Sequence, residues 1–383
     1  MRNENVPELV KRSLWGTGNP QIDDSVYEEM KLHAISALPG SVLASLDVPP
    51  ELLTRWKKII LQQIAYNVNL ESAQAQLPLR VPYVILKGTA AAQYYPHPEY
   101  RAQGDIDIMT KREDFERACR ELTEAGWTET TNGTDLERGR HRTFRKGNVI
   151  AENHAFFASM NDPAKAKIFD DLILDNITES HILPDLINGL VLIDHVNQHL
   201  EEGIGLRQII DWMMFADRCL KDDGDWGRFE EIAEKTGLKT LAVTTTRMCE
   251  IYLGLPEHTW SAKADKKLCA DLMDYVMKSG NFGKKKDKEE KLAIVRMNRL
   301  RHHPVKALKE LQKTGRENWS AGRKPFLRHF AWIWQGFRYI KGTSGYMDGY
   351  REARRLSGLF DALGVKRTGD GLVYYIDGEY VKK

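Results

Sequence analysis

The apolar positions change period along the chain, and each change marks an element. Behind Pro49-Pro50, residues Leu52, Leu53, Trp56, Ile59, Ile60 and Ile64 recur at helical spacing. They predict one long helix from about Glu51 to about Leu77, broken by Pro78 and Pro82. Tyr83 to Lys87, apolar up to Leu86 and followed by Gly88, has the pattern of a buried strand. A short helix from Thr89 to Tyr95 stops at Pro96 and Pro98. Asp105 to Met109 alternates acid and aliphatic, which predicts a strand with one polar and one buried face. Thr110-Lys-Arg-Glu113 fits a capping box for a helix carrying Phe115, Ala118, Cys119, Leu122 and Ala125. A strand from Trp127 and a hairpin at Lys146-Gly-Asn148 lead into the strand Val149–Phe157. From residue 163 to about Ser279 helical periods dominate, including Leu186–Leu200. Asp377-Gly378 between β-rich runs predicts a closing hairpin.

The pattern gives an α+β protein with four regions: helical 1–80, a small mixed β-sheet in 81–162, helical 163–345, and a tail with a β-hairpin in 346–383. The chemistry concentrates in the second region. Asp105 and Asp107 alternate in a strand, so both carboxylates project to one face while Ile106 and Ile108 enter a core. Paired acids on one sheet edge form a hard-oxygen site suited to Mg²⁺; alternatively they are the solvated end of an amphipathic edge strand. Gly88 and Thr89 follow an apolar strand and open a helix, where backbone N–H groups can receive phosphate. Lys87 is placed near phosphate or the acids, or snorkels to water. Arg101 either contacts triphosphate or pairs with an acid. Arg140, His141, Arg142 and Arg145 face the substrate cleft or, more plainly, read as a solvated β-edge.

Leu86-Lys-Gly-Thr-Ala-Ala-Ala-Gln-Tyr-Tyr-Pro96, together with Arg101-Ala-Gln-Gly-Asp-Ile-Asp-Ile108, resembles the polymerase-beta-like nucleotidyltransferase superfamily. The likeness is to its bacterial branch of uncharacterised nucleotidyltransferases. Thr89 stands where the superfamily usually has Ser and keeps the hydroxyl. The third acid of the pattern falls on Glu152, which shares a face with Ile150 and His154; Asn153 departs from the apolar flank. His195-Val-Asn-Gln-His199, then Gly203-Ile-Gly-Leu-Arg-Gln-Ile-Ile-Asp211, resembles the helical second half of the family. The likeness spans about residues 83–215. It implies an Mg²⁺-dependent enzyme moving an NMP group from an NTP to an unknown hydroxyl-bearing acceptor. Asp105, Asp107 and Glu152 would be catalytic and hold two Mg²⁺ ions. Lys87, Gly88, Thr89, Arg101, Gly104, His195, His199 and Arg207 would bind nucleotide. For His195, His199 and Arg207 a buried structural network is the other reading, with Arg207 paired to Asp211 at i,i+4. A two-histidine zinc hydrolase is not expected, because no Glu follows His195.

Composition narrows this further. At 383 residues and 42% apolar, the chain is expected to hold two or three domains with real cores. No run of 18 apolar residues predicts a transmembrane helix, and no signal peptide is expected. Cys119, Cys219, Cys249 and Cys269 are widely spaced, which suggests reduced thiols and a cytoplasmic location. From Lys284 to Lys341 there are 17 Lys and Arg against 5 Asp and Glu, a net +12. The whole chain is +2, which leaves −10 on the rest. Such a segment suits an anionic partner (nucleic acid, polysaccharide or a membrane surface) or is a solvated helical face. Phe326, Phe330, Ile333, Trp334 and Phe337 form one helical stripe flanked by Arg328, Arg338 and Lys341, read as packing into the core. The alternative to an enzyme is a non-catalytic module of the same fold binding nucleotide or an anionic polymer.

Overall fold

The structure is a computed structural model that describes residues 3–131, 140–285, 300, 304–319, 325–341, 346–365, 373–376 and 378–382. It divides into two compact units, residues 1–285 with 373–383, and residues 286–372. It is α+β: a mixed five-stranded sheet and a two-stranded hairpin among many helices. Among the described residues no helix is long and apolar enough to cross a membrane.

In the first unit, α1 (Asn5–Trp15) and α2 (Asp24–Leu32) precede the long helix α3 (Pro50–Ala75). Pro50 sits in the first turn, where its missing N–H costs nothing, and Leu52, Trp56, Ile60 and Leu70 are buried. The sheet strands are β1 (Tyr83–Leu86), β2 (Ile106–Thr110), β3 (Thr128–Glu129), β4 (His141–Lys146) and β5 (Val149–His154). Their order is β1-β2-β5-β4-β3, with β2–β5 the parallel pair and the others antiparallel. The short helix α4 (Gly88–Ala92) joins β1 towards β2, and α5 (Phe115–Glu124) leaves β2. One sheet face is dry. Ile85, Ile106, Ile108, Phe144 and Ala151 pack there against Phe115, Cys119 and Leu122 of α5 and Leu70 of α3. The outer edge of β1 is covered by His181, whose carbonyl accepts from Ile85 N–H and whose ring stacks on Tyr83 at 3.8 Å.

Two local expectations change. The capping box at Thr110 does not form. Thr110 remains in β2 opposite Tyr83, and α5 starts only at Phe115 after a 3₁₀ turn, without a side-chain cap. Strand pairing takes Thr110 before the helix can use it. Nor is β4 an edge: it lies between β5 and β3, and Arg142 pairs with Glu116 and Glu129.

Helices α6 (Pro163–Leu174), α7 (Asp185–His199), α8 (Leu206–Cys219), α9 (Asp223–Thr236), α10 (Lys239–Tyr252) and α11 (Lys266–Ser279) complete the unit. Between Gly189 of α7 and Phe215 of α8 there is no room for a methyl group: a Cβ at Gly189 would lie 2.0 Å from the Phe215 ring. The closing hairpin pairs β6 (Val373–Ile376) with β7 (Glu379–Lys382), and Asp377 of its turn lies outside the described residues. The Tyr380 hydroxyl donates to Asp170 of α6, whose other oxygen accepts from Phe157 and Ala158 N–H.

In the second unit, α12 (Pro304–Glu317) packs on α13 (Ala331–Lys341), followed by α14 (Tyr346–Ala362). The aromatic stripe expected in the core is largely outside: Phe330, Ile333 and Phe337 are exposed, while Ala331 and Gln335 are buried. Small residues let the two helices approach closely, a Cβ at Gly315 meeting the Ala331 carbonyl at 2.4 Å, and this turns the aromatics outward. Trp334 instead packs edge-on against Trp319. The side chains of Phe326, Arg338 and Lys341 lie outside the described residues, as does much of the basic 284–341 stretch.

Asp170 is fully buried, and burial raises its carboxyl to about 6, ahead of the hydrogen bonds from Tyr380, Ala158 and Phe157 that lower it. A raised acid holds its proton longer folded than unfolded, so it loses stability as pH rises from about 4 to about 6. The Asp170→Asn variant should flatten that part of the urea-stability profile by about 2–3 kcal/mol relative to wild type. An unchanged profile would disprove the assignment.

Candidate active site

The acids arise from the parallel pairing of β2 with β5. In that register Asp107 faces Glu152 and Met109 faces His154. Alternate residues share a face, so Asp107, Glu152 and His154 emerge opposite the dry core. Asp105 immediately precedes β2 on the same side. Asn153, the departure in the sequence pattern, points the other way: it is fully buried and donates to the Phe115 carbonyl and Cys119 Sγ. A polar residue is tolerated there because the start of α5 offers acceptors.

Lys87 enters this face from the end of β1. Its Nζ is 2.9 Å from Asp107 Oδ1 and 5.3 Å from the Phe157 ring centroid. Its backbone has φ +55°, followed by Gly88 at φ +40°. A non-glycine residue in that region costs about 1–3 kcal/mol and persists where its surroundings hold it. Here the buried ammonium–carboxylate contact fixes the turn. Thr89 donates to Gln74 Oε1 of α3, so its hydroxyl has a structural partner.

Burial opposes the charge of all these groups, and their neighbours decide the outcome. Burial would lower Lys87, but Asp107 and Asp105 raise it. Burial would raise Asp107, yet Lys87 and the hydrogen bond from His154 hold it well below the usual carboxylate range. Asp105 is pushed up, first by the Asp107 charge and then by burial. Glu152 rises to about 7 through burial and the two aspartates. His154 falls to about 4 through burial, against Asp107, so its ring is neutral at pH 7.

A second layer comes from α3 and the helical region. Tyr66 donates to the Gly104 carbonyl at 2.5 Å, and Asn67 holds the Glu99 and Arg101 carbonyls and the Gln103 N–H. Thus α3 clamps the loop that presents Arg101 and Asp105, a role the apolar pattern of that helix does not carry. Arg101 is fully committed to Asp211 of α8. Its Nε and Nη2 donate to the two carboxylate oxygens at 3.0 and 2.6 Å, and Tyr95 adds a third hydrogen bond at 2.7 Å. Both oxygens of Asp211 are thus taken by Arg101 and Tyr95 rather than by Arg207 one helix turn away. Arg207 reaches the Ala102 carbonyl at 3.5 Å, its Nε has no hydrogen-bond partner, and its guanidinium lies over Phe282. Asp211 and Asp105 still attract its charge, against the burial that opposes it. Gly203 and Gly205 allow this approach, since a Cβ on either would meet the backbone at Gly283 or Asn281.

His195 is 5% exposed, with Nδ1 unpartnered; burial first, then the charges of Lys87, His199 and Arg207, keep it neutral. His199 packs edge-on to His195 and Phe282. The structure thus brings Lys87, Asp105, Asp107, Glu152, Arg207 and His195 into one electrostatic neighbourhood, while Arg101 acts on it from behind and Thr89 faces α3. Sequence reasoning did not give His154, Tyr95 or Asn67 a role at this site. The alternation noted for His154 was the only signal of its position. Ligand atoms of Asp107, Glu152 and His154 lie within 4.8 Å of one another, a grouping that can hold a metal ion and that does not include Asp105.

A mixed sheet whose parallel inner strands bear facing acids next to a glycine turn defines a nucleotidyltransferase-like class. The sequence pattern of the family described as uncharacterised nucleotidyltransferase matches residues 20–254, and the chain belongs to that family. No curated protein and no solved structure matches the chain. The family assignment supports nucleotide transfer.

The Arg101–Asp211 pair is buried, at 4% and 1% exposed. Breaking one partner leaves an uncompensated interior charge. Asp211→Asn should cost about 3–5 kcal/mol in urea unfolding, whereas Arg101→Met/Asp211→Leu should cost clearly less than the single change. Equal losses in both would contradict the pairing.

Proposed function

We propose that the protein transfers a nucleotidyl group from an NTP to a hydroxyl-bearing acceptor with Mg²⁺, and that residues 81–162 supply the chemistry. The observation that carries this reading is the in-register pairing of Asp107 with Glu152, beside Asp105 and below Lys87. Carboxylate oxygens suit a hard divalent cation. Asp105, Asp107 and Glu152 would hold the ions, which when bound offset charge on the phosphates.

The acceptor oxygen forms a bond to the α-phosphorus, and the bond from that phosphorus to the bridging oxygen breaks to release pyrophosphate. Glu152, raised to about 7, takes the acceptor's proton; a base is most effective with a pKa near the working pH. Lys87, Arg207 and His195 face the triphosphate, with His199 behind His195. Gly88 and Thr89 give the chain its close approach, and Gly104 orients the loop before Asp105. Arg101 contributes by holding that loop to α8. Arg207 supports this assignment, being a half-buried cation whose Nε has no hydrogen-bond partner among the described residues. The basic 284–341 segment, net +12, is proposed to contact an anionic acceptor or partner. A cytoplasmic location belongs to the same reading, which the free cysteines support.

The test is thermal shift with ATP, GTP, CTP and UTP, each with and without Mg²⁺, followed by product mass. At ~100 times its dissociation constant, the right nucleotide should stabilise wild type by about 2.7 kcal/mol. Asp105→Asn/Asp107→Asn should lose the Mg²⁺-dependent part and all transfer while staying folded. Turnover retained in that variant would refute the assignment. Binding by wild type without any transfer to candidate acceptors would favour the non-catalytic module.

A further inference from the structure

The proposed acids have an imidazole among them. His154 follows Glu152 by two residues on β5 and so leaves the sheet on the same face. Its Nε2 lies 2.9 Å from Asp107 Oδ1 and 3.7 Å from Glu152 Oε2. The ring is 2% exposed and is held edge-on to Phe157 at 5.3 Å. Among the described residues its Nδ1 has no hydrogen-bond partner. The nitrogen aimed between two carboxylates, with donor atoms of all three residues inside 4.8 Å, makes a mixed nitrogen–oxygen set. Magnesium is a hard cation that takes oxygen ligands, whereas imidazole suits later divalent metals such as Zn²⁺, Fe²⁺ and Ni²⁺. Lys87 touches the same Asp107 oxygen, but a carboxylate has about four lone-pair sites and can serve both.

We propose that His154 is a metal ligand together with Asp107 and Glu152, and that this set prefers a divalent transition-metal ion over Mg²⁺. The inference rests on the metal-dependent reading above and changes its ion and its third ligand. Asp105, outside the tight group, is then left to act on the nucleotide side. The competing role for His154 is positioning: Nε2–H donates to Asp107 and merely orients it. Loss of such an outer partner also weakens metal binding by 10–100-fold in typical sites, so affinity for one ion does not separate the two roles.

The deciding probe is Mn²⁺ on the full-length protein, with and without ATP. Pulsed electron paramagnetic resonance should find nitrogen coupling to bound Mn²⁺ in wild type. The coupling should vanish in His154→Gln and persist in His141→Gln, whose ring lies nearby. Competition binding should give wild type a Zn²⁺:Mg²⁺ preference that falls about tenfold in His154→Gln. Bound Mn²⁺ without nitrogen coupling in wild type, or equal weakening of both ions in His154→Gln, would overturn the ligand role and leave the wider reading standing. Failure of wild type to bind either ion, alone or with ATP, would overturn both. If His154→Gln does not fold, the wild-type coupling together with its loss or retention in His141→Gln still decides.

Discussion

Three carboxylates, one buried and two half-buried, repel each other on one side of the sheet and lose hydration together, and the surrounding structure is arranged around that cost. Asp107 stays ionised only because Lys87 and His154 both contact it. Glu152, with no comparably close cation, holds its proton to about pH 7 instead. One strand pair therefore carries two carboxyls in different electrostatic surroundings. Lys87 in turn sits at a strained backbone position that this charge contact stabilises.

The same constraint explains why so much of the chain lies outside the sheet. The loop before Asp105 has no regular structure of its own. It is held from one side by Tyr66 and Asn67 of α3 and from the other by Asp211 of α8 through Arg101. A fully buried, bidentate ion pair is a weak source of net stability but a strict one geometrically, since a shifted partner leaves a bare interior charge. Arg207 and His195 stand on α8 and α7, which pack closely at Gly189 and Phe215. The family match over residues 20–254 covers α3 as well as α8, so the clamp lies inside the shared region.

Much of this was legible without coordinates. The proline-bounded helix from 50 to 75, the acid strand and the closing hairpin all follow from period and breakers. The aromatic stripe of α13 did not, because helical spacing marks one face without saying which neighbour takes it. Gly315 and Ala331 decided that in the fold, and the aromatics went outward. Thr110 is a similar case: a capping pattern is local, and strand pairing with Tyr83 outweighed it.

What the sequence determined by itself was alternation, and with it that Asp105 and Asp107 share a face and that Glu152 shares one with His154. Periodicity is a property of neighbouring residues and needs no partner. What the tertiary structure decided was adjacency. The parallel register put Asp107 beside Glu152, brought His154 within hydrogen-bond distance of Asp107, and gave Asp211 to Arg101 rather than to Arg207 four residues before it. Those contacts join residues dozens of positions apart, and no spacing along the chain encodes which of several chemically suitable partners the packing will bring within 3 Å.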